Sequence, residues 1–149
     1  MQRALAGLLG AMQIAVGLVL LAAPLAFYEL VPGVTETGPI NPHFMRDVGC
    51  AFLVAGLAFA WLARDARAWP AALAGALFLT LHGLMHVWDG LAGRETAAHL
   101  AHDLPLTLGP ALLGLWLARP RRRERPEPKG DDDDKMADAA ADRRLRARL

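Results

Sequence analysis

The residues best suited to chemistry in this 149-residue chain lie in Leu81-His82-Gly83-Leu84-Met85-His86-Val87-Trp88-Asp89. Read as a helix, His82, His86 and Asp89 stand at i, i+4 and i+7 and project from one face. Neutral imidazole is a common ligand for zinc, copper, iron and nickel, and carboxylates either complete the ligand set or orient the ring nitrogens from behind. His-x3-His is a recurrent two-ligand bite, because consecutive helical turns bring both rings to one metal. The rest of the segment is apolar and long enough to cross a bilayer, where ionisable groups are costly and usually mark a site or a pathway.

The other candidates come from two further apolar segments. His43 and Asp47 are four apart at the start of one; His99, His102 and Asp103 open another. The metal expectation takes His82 and His86 as the leading pair, His102 as a third ligand and Asp47 or His43 as a fourth, with Asp89, Asp103 and His99 completing the candidate set. A transition metal is expected, copper, zinc or iron. In an enzyme, metal-activated water or dioxygen would act on a lipophilic small molecule, with Asp47 or Asp103 as base or as a partner behind the ligands. A metal-handling subunit without catalysis fits the same residues.

Other readings stay open. The cluster also suits a hydrogen-bonded polar network or proton relay in a structural or accessory protein, or haem held by one histidine on each of two helices, such as His82 and His102. His99 reads more readily as an interfacial turn residue than as a ligand. Arg46 beside Asp47 reads as a rim charge partner, and less readily as a holder of an anionic substrate. Met45 and Met85 are soft enough for copper but suit packing better.

The elements that must position these groups are read from hydropathy. With 54% hydrophobic residues the chain is a membrane protein, and four apolar stretches account for the excess. Helices are expected over about 4–27, 42–64, 70–89 and 96–118, each long enough to cross roughly 30 Å of hydrocarbon at about 1.5 Å per residue. Pro24 follows a small-residue triplet directly, which favours an uncleaved first helix over a secretory signal. Residues 28–40 have the Pro, Gly and Thr content of a loop. Asn41-Pro42 is a helix start, with Asn as N-cap and Pro at the first helical position, and Thr96 is a cap for the fourth helix. Pro105 and Pro110 loosen that helix by freeing carbonyls. Gly49 and Gly56 share a face of the second helix and permit close packing.

Charge is divided unevenly. Residues 1–118 carry five Arg, no Lys and seven acids, whereas 119–149 carry eleven basic and eight acidic residues. Arg3, Arg64, Arg67 and the Arg119–Arg125 cluster collect on one side and only Arg46 and Arg94 on the other, so the positive-inside rule expects both termini in the cytoplasm and all five histidines toward the outer face. Asp47, His82 and His102 then lie at a common depth of about 9–10 Å, and the expectation is that three helices converge on one polar chamber. The tail is expected to be extended and solvated over 119–129. Asp131-Asp132-Asp133-Asp134-Lys135 is the recognition sequence of enteropeptidase, and 131–149 resembles an engineered, vector-derived linker with no expected part in function.

Nucleophile elbows, phosphate-cradling glycine loops, Cys-x-x-Cys and nucleic-acid modules are absent from the sequence, and Cys50 has no second cysteine to pair with. Homo-oligomerisation is plausible for so small a bundle. The plan of four helices, with Asn41 and Arg46-Asp47-Val48-Gly49 opening the second and Leu62-Ala63-Arg64 closing it, resembles small bacterial membrane proteins of the broad DoxX-like type over residues 4–118. That resemblance implies an all-α antiparallel four-helix bundle, N-in and C-in, in the bacterial inner membrane. It implies no activity, and the His-rich outer ends of the third and fourth helices are not part of it.

Overall fold

The computed structural model describes residues 1–94 and 96–120, together with Arg143 and Arg146. The expectations for the remainder of the tail lie outside the described residues. Five α-helices follow one another: α1 (Gln2–Ala22), α2 (Pro24–Leu30), α3 (Pro42–Arg64), α4 (Trp69–Leu91) and α5 (Ala97–Leu117). No strand occurs among the described residues, and four of the helices are long and apolar enough to cross a membrane.

The helix starts follow their caps. Asn41 Oδ1 accepts from the amides of His43 and Phe44, both at 3.1 Å, and Pro42 needs no partner at the first position. Thr96 Oγ1 accepts from the His99 amide at 3.2 Å and begins α5. Asp65 does the same for the short 3-10 turn Ala66–Ala68, accepting from the Arg67 amide at 2.9 Å.

The first helix departs from expectation. It ends at Ala22 rather than near Phe27, because Ala23 leaves helical geometry (φ −139°, ψ 56°) and Pro24 starts a new helix. Proline supplies no N–H to the preceding turn and disfavours the α region in the residue before it. The carbonyl left over at Leu21 is taken by Arg46, whose Nε donates to it at 3.3 Å. Arg46 therefore closes the end of α1 instead of pairing with Asp47. The expected loop is correspondingly more ordered: α2 runs to Leu30, a 3-10 turn covers Val34–Thr37, and the Tyr28 hydroxyl donates to the Gly38 carbonyl at 2.9 Å.

Between hydrocarbon tails and leucine there is little hydrophobic preference, so helices in a bilayer hold together by close backbone approach at small residues. A Cβ on Gly10 would lie 2.8 Å from the Ala60 nitrogen and 2.9 Å from the Gly56 oxygen; one on Gly17 would lie 2.8 Å from the Gly49 oxygen. As the position rises in α1 it falls in α3, so these helices are antiparallel. Gly75 meets Ala55 to join α4 to α3, while Gly83 and Gly90 receive Leu108 and Leu100 to join α4 to α5, again antiparallel in both cases. Phe59 is fully buried and its ring fills the notch at Gly114 beside Ala76.

The interior mixes small residues such as Ala6, Ala55, Ala72, Ala76 and Ala111 with the leucines Leu9, Leu20, Leu62, Leu79 and Leu117, whereas Leu8, Leu57, Leu81 and Leu112 are exposed. Small residues at the contacts and leucines on the outside suit a lipid solvent. The antiparallel order puts all five histidines toward one end, the end carrying the 31–41 and 92–96 connections. Replacing Gly10 by Val is expected to lower stability by about 1–3 kcal/mol through overpacking against the α3 backbone. Gly109→Ala, whose new Cβ meets nothing within 4 Å, is expected to cost nothing. Thermal unfolding of both variants in detergent micelles checks the pair.

Candidate functional site

The α4–α5 seam decides which ionisable groups meet. Gly83 and Gly90 are one heptad apart and face α5, with His86 between them on the same strip of helix; Leu100 and Leu108 fill those two notches and have Asp103 between them. The contact that packs the two helices therefore also aims His86 at Asp103. His86 Nδ1 lies 2.5 Å from Asp103 Oδ2, with the side chains only 23% and 20% exposed. That oxygen is sealed from solvent, and His86 is its one close polar neighbour among the described residues.

The contact is a close approach without hydrogen-bond geometry; it engages one ring nitrogen of His86 and leaves Nε2 on the other side of the ring. Nε2 faces Nε2 of His82 at 3.4 Å, and the two rings stand nearly perpendicular at 80°. Asp103, His86 and His82 thus form a file running into the membrane, with the two imidazoles about 8 Å and about 14 Å from the end of α4 by helical rise. Thr107 adds a bond to the backbone of this turn: its hydroxyl donates to the main-chain carbonyl of Asp103 at 3.1 Å.

His82 is enclosed by aromatic rings. Phe78, one turn earlier on α4, stacks on it with centroids 6.0 Å apart and an interplanar angle of 22°. Phe52 of α3 presents its edge to both His82 and Phe78, each at 5.2 Å. Reading for ionisable residues alone missed both phenylalanines; the i−4 spacing of Phe78 from His82 was the available signal.

The remaining candidates stand apart from this file. His43 Nε2 pairs with Asp47 Oδ2 at 3.5 Å on the exposed start of α3. Asp47 is five residues from Phe52, about 140° round the helix, so the α3 face that meets α4 carries phenylalanine and not the carboxylate. Asp89 is drawn to the α4 terminus by Arg94, whose Nη1 donates to it at 2.6 Å. His102 is exposed, because Asp103 faces α4 and its neighbour is turned about 100° away. Together with His99 it lines a cavity of about 250 Å³ roofed by Pro32 and Gly33. The convergence of three helices expected from the sequence is thus corrected to two, α4 and α5. The haem pairing is not assembled either, since His102 faces the cavity beside Pro32 and Gly33 and His82 the Phe52/Phe78 enclosure. Among the described residues, no three His, Cys, Asp or Glu side chains come together as a ligand group.

A larger groove of about 460 Å³ runs between α3 and α4, lined by Ala58, Ala71, Ala74 and Cys50 and ending at Phe78. No family model, curated protein or solved structure matches this sequence. Asp103→Ala is expected to cost about 1–3 kcal/mol, the range for leaving a buried polar group without its partner. Nitrogen-15 spectra of labelled histidine are expected to show His86 as the Nδ1–H tautomer in the native chain and as a tautomer mixture in this variant.

Proposed function

We propose that the protein is a multi-pass inner-membrane protein, with both termini cytoplasmic, that binds a transition metal through His82 and His86 near its periplasmic side. One observation carries this reading, the 3.4 Å between the two facing Nε2 atoms. Two imidazoles bound at roughly 2.0–2.1 Å to a tetrahedral ion hold their nitrogens about 3.3–3.4 Å apart, whereas N–H hydrogen bonds to oxygen span roughly 2.7–3.2 Å. The contact behind His86 supports the same conclusion. A ligating histidine characteristically donates its other N–H to a carboxylate, which fixes the tautomer and raises ligand basicity, and Asp103 Oδ2 lies beside Nδ1 in position for that role.

With two protein ligands, the remaining positions belong to water or to a reactant, which is the pattern of a working site and not of a closed structural one. Zinc, copper and iron all accept such imidazole pairs. The chain's own groups have separate duties: His82 and His86 hold the ion, Asp103 orients His86 and serves as the nearby base, and Phe52 and Phe78 exclude water from the inner ring. A lipophilic reactant would approach along the apolar groove, whose end wall Phe78 is also the ring stacked on His82. The positive-inside balance supports the orientation. The DoxX-like resemblance agrees with the membrane assignment and adds no chemistry.

A second reading draws on the continuity of the Asp103–His86–His82 file, which would pass a proton between the outer rim and the membrane interior without any metal. Elemental analysis of the purified protein separates the two. The metal reading expects close to one ion lost from His82→Ala/His86→Ala relative to the native chain, and a 10- to 100-fold weaker affinity in Asp103→Asn. Equal metal content in the native chain and the double variant would leave the relay.

A further inference from the structure

The five histidines are sorted by the fold into sets, and one set has no part in the site above. His99 and His102 both line the cavity of about 250 Å³ at the start of α5, on the N-terminal side of the Asp103–His86 contact. We propose that they form a second, outer transition-metal site that captures the ion from the periplasmic side and passes it to His82 and His86. The capture role rests on the metal reading of the inner pair; the binding at the outer pair does not.

Three observations support it. The two residues are three apart on one helix, which puts their Cβ atoms roughly 5–6 Å apart and lets both rings reach one ion. The cavity lies between two connections on the same outer end of the bundle, with Thr96 and Ala98 as its floor and Pro32 and Gly33 as its roof. The roof is fitted to the ring: Gly33 has φ +85°, and any Cβ there would run into the imidazole of His99. Such a backbone conformation suits glycine, and its absence of a side chain is what allows the loop to lie against His99. The 24–41 segment therefore holds an imidazole in place at the edge of an open cavity.

The passage inward is short in sequence. His102 is bonded directly to Asp103, the residue that orients His86, so the outer and inner sites share a turn of α5. Two imidazoles and water suit the same borderline ions as the inner pair, and an exposed pair with a water-filled remainder binds more weakly than a largely buried one backed by a carboxylate. A weaker outer site beside a stronger inner one is the order that inward transfer requires.

Zinc equilibrium dialysis on the full chain in detergent micelles tests the proposal, read as differences between variants so that binding by the Asp131–Asp134 run cancels. The expected result is loss of one ion per chain in His99→Ala/His102→Ala, loss of a different one in His82→Ala/His86→Ala, and about tenfold weaker outer binding in Gly33→Ala, which keeps both histidines. Stopped-flow cobalt(II) loading of the inner pair is expected to slow about tenfold in the outer double variant. Unchanged stoichiometry in His99→Ala/His102→Ala, with the inner ion still lost in the other variant, would overturn the outer site alone. Loss of one ion from the outer variant with no change in inner loading would overturn the transfer. No loss in either variant would remove both readings, and a preserved helical circular dichroism spectrum keeps a folding defect from being mistaken for any of these.

Discussion

Everything in this molecule depends on helices approaching one another closely enough for backbone to touch backbone. In lipid, burying leucine gains little, so what holds α1 to α3 is the fit of Gly10 and Gly17 against Gly56, Ala60 and Gly49, and what holds α4 to α5 is the insertion of Leu100 and Leu108 at Gly90 and Gly83. Many large side chains are left facing outward, as Leu8, Leu81 and Leu112 are.

The polar chemistry is a consequence of that packing. A carboxylate and two imidazoles would be expensive in hydrocarbon if each stood alone. The glycine notches that admit α5 also set the register at which Asp103 falls opposite His86, so the seam that costs α4 its side chains provides the ion-pairing partner at the same level. His82, deeper still, is covered by Phe52 and Phe78, whose ring edges and faces replace water around the imidazole. The other ionisable groups are handled locally at the rims: His43 with Asp47, Asp89 with Arg94, Asp65 with Arg67, and Arg46 with the Leu21 carbonyl at the end of α1.

This division separates the ionisable residues by duty. Those paired within a helical turn or across a tight connection cap or neutralise an end. The file Asp103–His86–His82 instead joins two helices, while His99 and His102 line a cavity at the start of α5 where Gly33 fits against His99.

The sequence by itself determined the four long apolar helices and most of their ends, because hydropathy, Asn41-Pro42 and Thr96 act within one or two turns and need no partner. It also picked out His82 and His86 as facing neighbours, since i and i+4 share a face in any helix. It placed the end of α1 too late, at about residue 27, because Pro24 reads as tolerable near a helix end and only the Arg46 contact from α3 shows where the freed carbonyl goes. Depth along the spans suggested that Asp47, His82 and His102 would meet, but depth fixes height and not direction. Which of the carboxylates reached an imidazole was decided by the rotation of each helix about its axis, and that rotation is set by where glycine lets a neighbouring backbone come close, a relation between helices that no single segment contains.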